Sequence, residues 1–141
     1  MALVLAVALA ACNEHRFVQP GPPILGPGGT LPEGTDVRLV VGQSTQVNDL
    51  LVLTFSGVPQ DSRCPADAMC VWAGNAEVQL SASLGRGVAI PFTLNTTLPP
   101  RDTVFGPYRI ALVDLSPVPL SGGPIGLDEY LVTLRVSILP D

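Results

Sequence analysis

The chain has 141 residues, of which 47% are hydrophobic and only 13% charged, with a formal net charge of −5 and no lysine. That balance excludes a disordered polymer, which has too few apolar residues to build a core. It also excludes a nucleic-acid partner, because the basic patch needed to neutralise phosphates is missing.

In chain order, the first element is apolar. Residues 2–11 contain only Ala, Leu and Val. A membrane-spanning helix needs about 20 apolar residues, so this run is too short to cross. Its length suits the apolar core of a secretory signal. It closes on Leu9-Ala10-Ala11-Cys12, which resembles the lipobox of bacterial lipoproteins. The resemblance implies that residues 1–11 are a signal peptide, that Cys12 is acylated, and that Cys12 becomes the new N-terminus. A signal also carries positive charge ahead of its apolar core, and here Met1 leads directly into Ala2. The natural start is therefore expected upstream. The competing reading, a cytosolic N-terminus with a chance cysteine, is the weaker because the next segment also fits a lipoprotein.

That segment is a tether. Residues 12–35 hold Pro20, Pro22, Pro23, Pro27 and Pro32 with five interspersed glycines. Such density sustains neither helix nor sheet, and at roughly 3 Å per residue the segment could hold a domain tens of ångströms from a surface. In lipoproteins of two-membrane bacteria, Asp after the cysteine is associated with inner-membrane retention. Asn13 in that place favours the outer membrane, so the expected location is extracytoplasmic and lipid-anchored.

Residues 36–141 make one small domain, long enough for a modest core. Its dominant signal is period-two alternation. Strand runs are predicted at Val37–Val41, Leu50–Phe55, Cys70–Ala73, Glu77–Leu84, Val88–Leu94, Tyr108–Leu115 and Tyr130–Ile138. Gly85-Arg86-Gly87 is a hairpin connection between the fourth and fifth. Pro91 places the fifth at a sheet edge or bulge. No segment of the domain shows a capped helical period. About seven short strands separated by turn signals predict an all-β fold, a small antiparallel β-sandwich of Ig-like architecture, with a small barrel as the alternative.

One segment stands apart. Asp61-Ser62-Arg63-Cys64-Pro65-Ala66-Asp67-Ala68-Met69-Cys70-Val71-Trp72-Ala73-Gly74 packs two cysteines and the single tryptophan into fourteen residues. With Cys12 set aside for lipid, Cys64 and Cys70 are an even pair, which in an exported domain reads as a disulfide. Closing so short a loop stabilises by about 2–2.5 kcal/mol. A redox motif would have C-x-x-C. A structural zinc site would have four Cys or His ligands, and the only histidine, His15, lies in the tether. The segment resembles a D-S-R-C-P-x4-C-x-W-A-G signature of bacterial exported proteins and lipoproteins with no assigned function. The resemblance covers most of the domain and implies a family and a location, with no catalytic residues to transfer.

Asp61, Arg63, Asp67 and Trp72 are the candidate binding-loop residues. Read as a staple, the two aspartates and Arg63 satisfy turn groups and Trp72 buries its ring beneath the loop. Read as an interface, a pre-ordered loop presents Arg63 and nearby apolar atoms to a partner. A calcium site at Asp61 and Asp67 lacks the EF-hand pattern.

Catalytic systems are argued against by elimination. The domain has no histidine for a Ser-His-Asp system and no lysine for Schiff-base or P-loop chemistry. Asp102, Asp114, Asp128 and Glu129 are formal candidates for a carboxylate pair, but their spacing gives no support. The Asn95-Thr96-Thr97 sequon is accidental in a bacterial protein. The sequence therefore predicts no enzyme, no cofactor and no metal. It predicts a binding module whose partners are the membrane, through Cys12, and another envelope protein or a small ligand. The alternatives are a structural envelope component and an inhibitor of an exported protease.

Overall fold

Residues 34–140 are described by a computed structural model. The apolar run, Cys12 and nearly all of the tether lie outside the described residues. The alternating segments form eight strands: β1 (Thr35–Val40), β2 (Ser44–Gln46), β3 (Leu51–Asp61), β4 (Ala76–Leu84), β5 (Ile90–Asn95), β6 (Asp102–Phe105), β7 (Tyr108–Ser116) and β8 (Leu131–Ile138). They pair antiparallel in two four-stranded sheets, ordered β1-β8-β7-β6 and β2-β3-β4-β5. The sheets stay separate, each with its own edges, so the fold is a sandwich and not a closed barrel.

Alternation explains the packing. On β4, Ala76, Val78, Leu80 and Ala82 point into the core while Gln79 faces solvent. They meet Leu51, Leu53 and Phe55 of β3 and Leu94 of β5, and beyond them Ile110 of β7 and Val132, Leu134 and Val136 of β8. Burying such side chains is the main source of stability in a domain this small, at about 1.5–3 kcal/mol each. Pro91 lies on β5, an edge strand, where a missing N–H costs no ladder bond.

Three details differ from the sequence expectation. Cys70–Ala73 is not a strand but part of a loop, because β3 and β4 stop pairing at Asp61 opposite Ala76. The short strands β2 and β6 have no counterpart among the predicted runs, since three or four mostly half-exposed residues carry little alternation. β3 also runs six residues past Phe55, through register shifts around Gly57 that let it curve.

Registers place the loops at two ends. Thr35 lies opposite Val136, and Tyr108 opposite Ile138. Tyr108 Oη accepts a 2.7 Å hydrogen bond from Asn48 Nδ2 just before β3, so this base pole also holds the Leu51 and Leu84 ends of β3 and β4. The opposite pole carries Ser116, Leu131, Asp61 and Ala76, and with them segments 62–75, 96–101 and 117–130.

Candidate functional site

The 62–75 segment begins as a continuation of the β3–β4 hairpin. Ser62 N–H donates to the Asn75 carbonyl (2.7 Å) and Cys64 N–H to that of Ala73 (2.9 Å). Gly74 makes this tight return possible. Its φ is +70°, and a Cβ there would collide with the Ser62 carbonyl. Beyond the ladder, Ala68 N–H closes a turn on the Pro65 carbonyl (3.1 Å), and a disulfide joins Cys64 to Cys70.

A polar clamp fixes the loop's root. Arg63 donates from Nε to Asp61 Oδ1 (2.9 Å) and from Nη2 to Asp61 Oδ2 (2.6 Å), a two-pronged pair. It also donates from Nη1 to the Leu115 carbonyl (2.6 Å) and from Nη2 to that of Pro117 (2.9 Å). Four of its five N–H donors are thus engaged. Tyr130 Oη donates to Asp61 Oδ2 (3.0 Å). Asp61 ends β3 in one sheet, and Leu115 lies near the end of β7 in the other, so a single guanidinium joins the two sheets. The Arg63 and Asp61 side chains are 12% and 11% exposed. Burial pushes the Asp61 carboxyl up, but the hydrogen bonds and charge of Arg63, helped by Tyr130, outweigh it and hold Asp61 below its ordinary range. Burial, then the bond to Asp61, pushes the Tyr130 hydroxyl up.

Two further ties hold the loop's flanks. Asp67 Oδ1 accepts from Ser121 N–H (2.8 Å) and Ser121 Oγ (3.0 Å), which lower its pKa, while Ala66 N–H donates to the Pro119 carbonyl (2.9 Å). On the other flank, Asn75 Nδ2 donates to Asn95 Oδ1 (2.8 Å) and Asn75 Oδ1 accepts from Thr97 N–H (3.1 Å). The sequon residues at 95–97 therefore brace the loop.

The tip behaves differently. Met69 is fully exposed, and Val71 and Trp72 are 91% and 82% exposed. Trp72 does not bury beneath the loop as the staple reading expects; its side chain stands out in solvent. Arg63 faces inward and satisfies turn carbonyls, as the staple reading expects, while Trp72 faces outward against it; the interface reading, which presents Arg63 itself, is not met. Asp61 and Arg63 are brought together. Asp67 joins the 117–130 segment instead. The other residues that hold the loop, Tyr130, Ser121 and Asn75, escape sequence reasoning; of these only Asn75, directly following the motif, carries a positional hint.

Beside the clamp, a cleft of about 370 Å³ opens between the loop and the 117–127 segment, lined by Val58, Pro65, Pro119, Ile125, Leu127 and Tyr130 above the Asp61–Arg63 pair. Most of its polar floor is already engaged, with one Arg63 N–H left over, so it offers mainly apolar contact. Among the described residues, no three acidic, thiol or imidazole groups converge on a point that could hold a metal ion. Asp102 pairs with Arg109 (2.7 Å), and Glu129 Oε2 accepts from Gly126 N–H (2.6 Å). No family model matches the chain, and neither a curated protein nor a solved structure does.

Proposed function

We propose that the protein is a non-catalytic binding module, anchored by lipid at Cys12 to a bacterial membrane outside the cytoplasm, that engages another envelope protein through residues 69–72. The observation that carries this reading is the placing of the apolar tip. Met69, Val71 and Trp72 project from a loop that is braced by a disulfide and tied to three neighbouring segments. The loop lies at the pole opposite Thr35, where the chain from Cys12 joins the sandwich. A tether attached at one end leaves the other end facing outward. Solvated apolar side chains on an ordered backbone bind with little further loss of entropy, and Trp is a frequent anchor. The lipobox and the resemblance to exported proteins of unassigned function support the location.

A second reading has its own observation. Arg63 and Asp61 turn inward and bridge the sheets, so this part of the motif is a folding device, as a structural envelope component would need. Cross-linking in the native envelope separates the two. The binding module predicts a partner captured by the wild type and lost in Trp72→Ala at unchanged melting temperature. Unaltered capture by Trp72→Ala would favour the structural reading. Retention of residues 1–11 with no lipid mass on the cell-extracted protein would remove the anchor.

A further inference from the structure

The charge of the domain is divided unequally between its ends. Asp61, Asp67, Glu77, Asp114, Asp128 and Glu129 lie in or beside the segments of the loop pole, against Arg63, Arg101 and Arg38, which is level with Asp114 across Thr133. Elsewhere in the described domain, Asp36, Asp49 and Asp102 are set against Arg86, Arg109 and Arg135. Arg63 is committed to Asp61 and two carbonyls, so the charge offered to an approaching molecule at the loop pole is mostly carboxylate. The remainder of the domain is close to balanced, with Asp36 paired to Arg135 and Asp102 to Arg109.

Resting on the binding reading above, we infer that the partner of the 69–72 tip is a cationic protein surface: an apolar recess for Trp72 and Met69, rimmed by lysine or arginine. Complementary potential speeds encounter and rejects wrong partners, and the apolar tip supplies the buried anchor inside that ring of charge. A second copy of this chain is disfavoured as a symmetric partner, because it would set one acidic pole against another. An anionic lipid surface would repel the same carboxylates.

Trp72 is the only tryptophan, so its fluorescence reports on the tip alone. A random peptide library displayed on phage and selected on the folded full chain supplies the probes. Enriched peptides should combine lysine or arginine with aliphatic or aromatic residues, and as synthetic peptides should shift Trp72 emission to the blue. Affinity should fall about thirty-fold in Trp72→Ala, the size of an aromatic hot spot. It should fall about fivefold in Asp114→Asn/Asp128→Asn, and also with added salt. Selected peptides that are neutral or acidic, yet still lost in Trp72→Ala, would overturn the cationic partner and leave the binding loop standing. Failure to enrich any peptide dependent on Trp72 would overturn both. A blue shift on phosphatidylcholine vesicles without peptide would assign the tip to a lipid surface instead, and a dimer in sedimentation that Trp72→Ala dissolves would assign it to a second copy.

Discussion

The two poles of the sandwich are built by different means. At the base, short turns return one strand directly to the next, the Asn48–Tyr108 bond links the sheets, and charges are close to balanced. At the loop pole, a fourteen-residue excursion is held by a guanidinium, a disulfide and several side-chain bonds to carbonyls and amides. A turn that only reverses a chain needs a glycine and a few backbone bonds. An excursion that must keep one shape away from the core needs polar fixtures, because exposed backbone has little apolar burial to order it. The loop pole is thus organised to hold a surface, and the base to close a fold.

Core substitutions should not distinguish the poles. Phe55→Ala, at the centre of the core, should lose about 3–5 kcal/mol in urea unfolding and weaken both ends together. Arg63→Ala should begin to separate them. It leaves the Asp61 carboxylate and two carbonyls without their donor, at a cost of about 3 kcal/mol, and hydrogen exchange should rise across 62–75 and 117–121 before it rises around Asn48. Equal exchange at both poles would contradict this division of labour. Cys64→Ser/Cys70→Ser should cost about 2 kcal/mol in melting experiments, while the Asp61–Arg63 pair keeps the loop's root in place.

Acid should act on the loop pole through Asp61. The folded Asp61 carboxyl titrates below its ordinary value, so its contribution is fully present above the unfolded value of about 4 and is lost as pH falls through the folded one. Asp61→Asn should flatten that acid limb of the stability profile. Tyr130, raised in the fold, contributes in the opposite sense: its share is present below about 10 and lost as pH rises through the folded value. The smallest effect is expected at the tip. Trp72→Ala should change stability by no more than about 0.5 kcal/mol, because its ring touches little of the fold.

Much of the sandwich is legible in the sequence, for a definite reason. β4 and β8 alternate because one face of each is sealed by the opposite sheet, and that pressure is written into every second residue. β2 and β6 are too short and too exposed to record it. Cys70–Ala73 reads as a strand because valine and tryptophan favour strands, and composition does not reveal that the hairpin ladder ends at Ala73, opposite Cys64. At the candidate site, the even pair of cysteines left once Cys12 is set aside points to the disulfide. The direction of Arg63 does not follow from its neighbours in the chain, since its acceptors at Leu115 and Pro117 lie 52 and 54 residues away. Whether a charged side chain anchors a loop or decorates it depends on such distant carbonyls.

The binding role depends on an ordered loop that carries a solvated apolar tip, and the single tryptophan reports on both properties. Fluorescence of the full chain should show Trp72 emitting as a water-exposed indole and open to acrylamide quenching, with high anisotropy because the backbone beneath it is fixed. Blue-shifted emission shielded from acrylamide would mean that the ring is buried and that no such surface exists. Exposed emission with the low anisotropy of a free peptide would mean that the loop is not held.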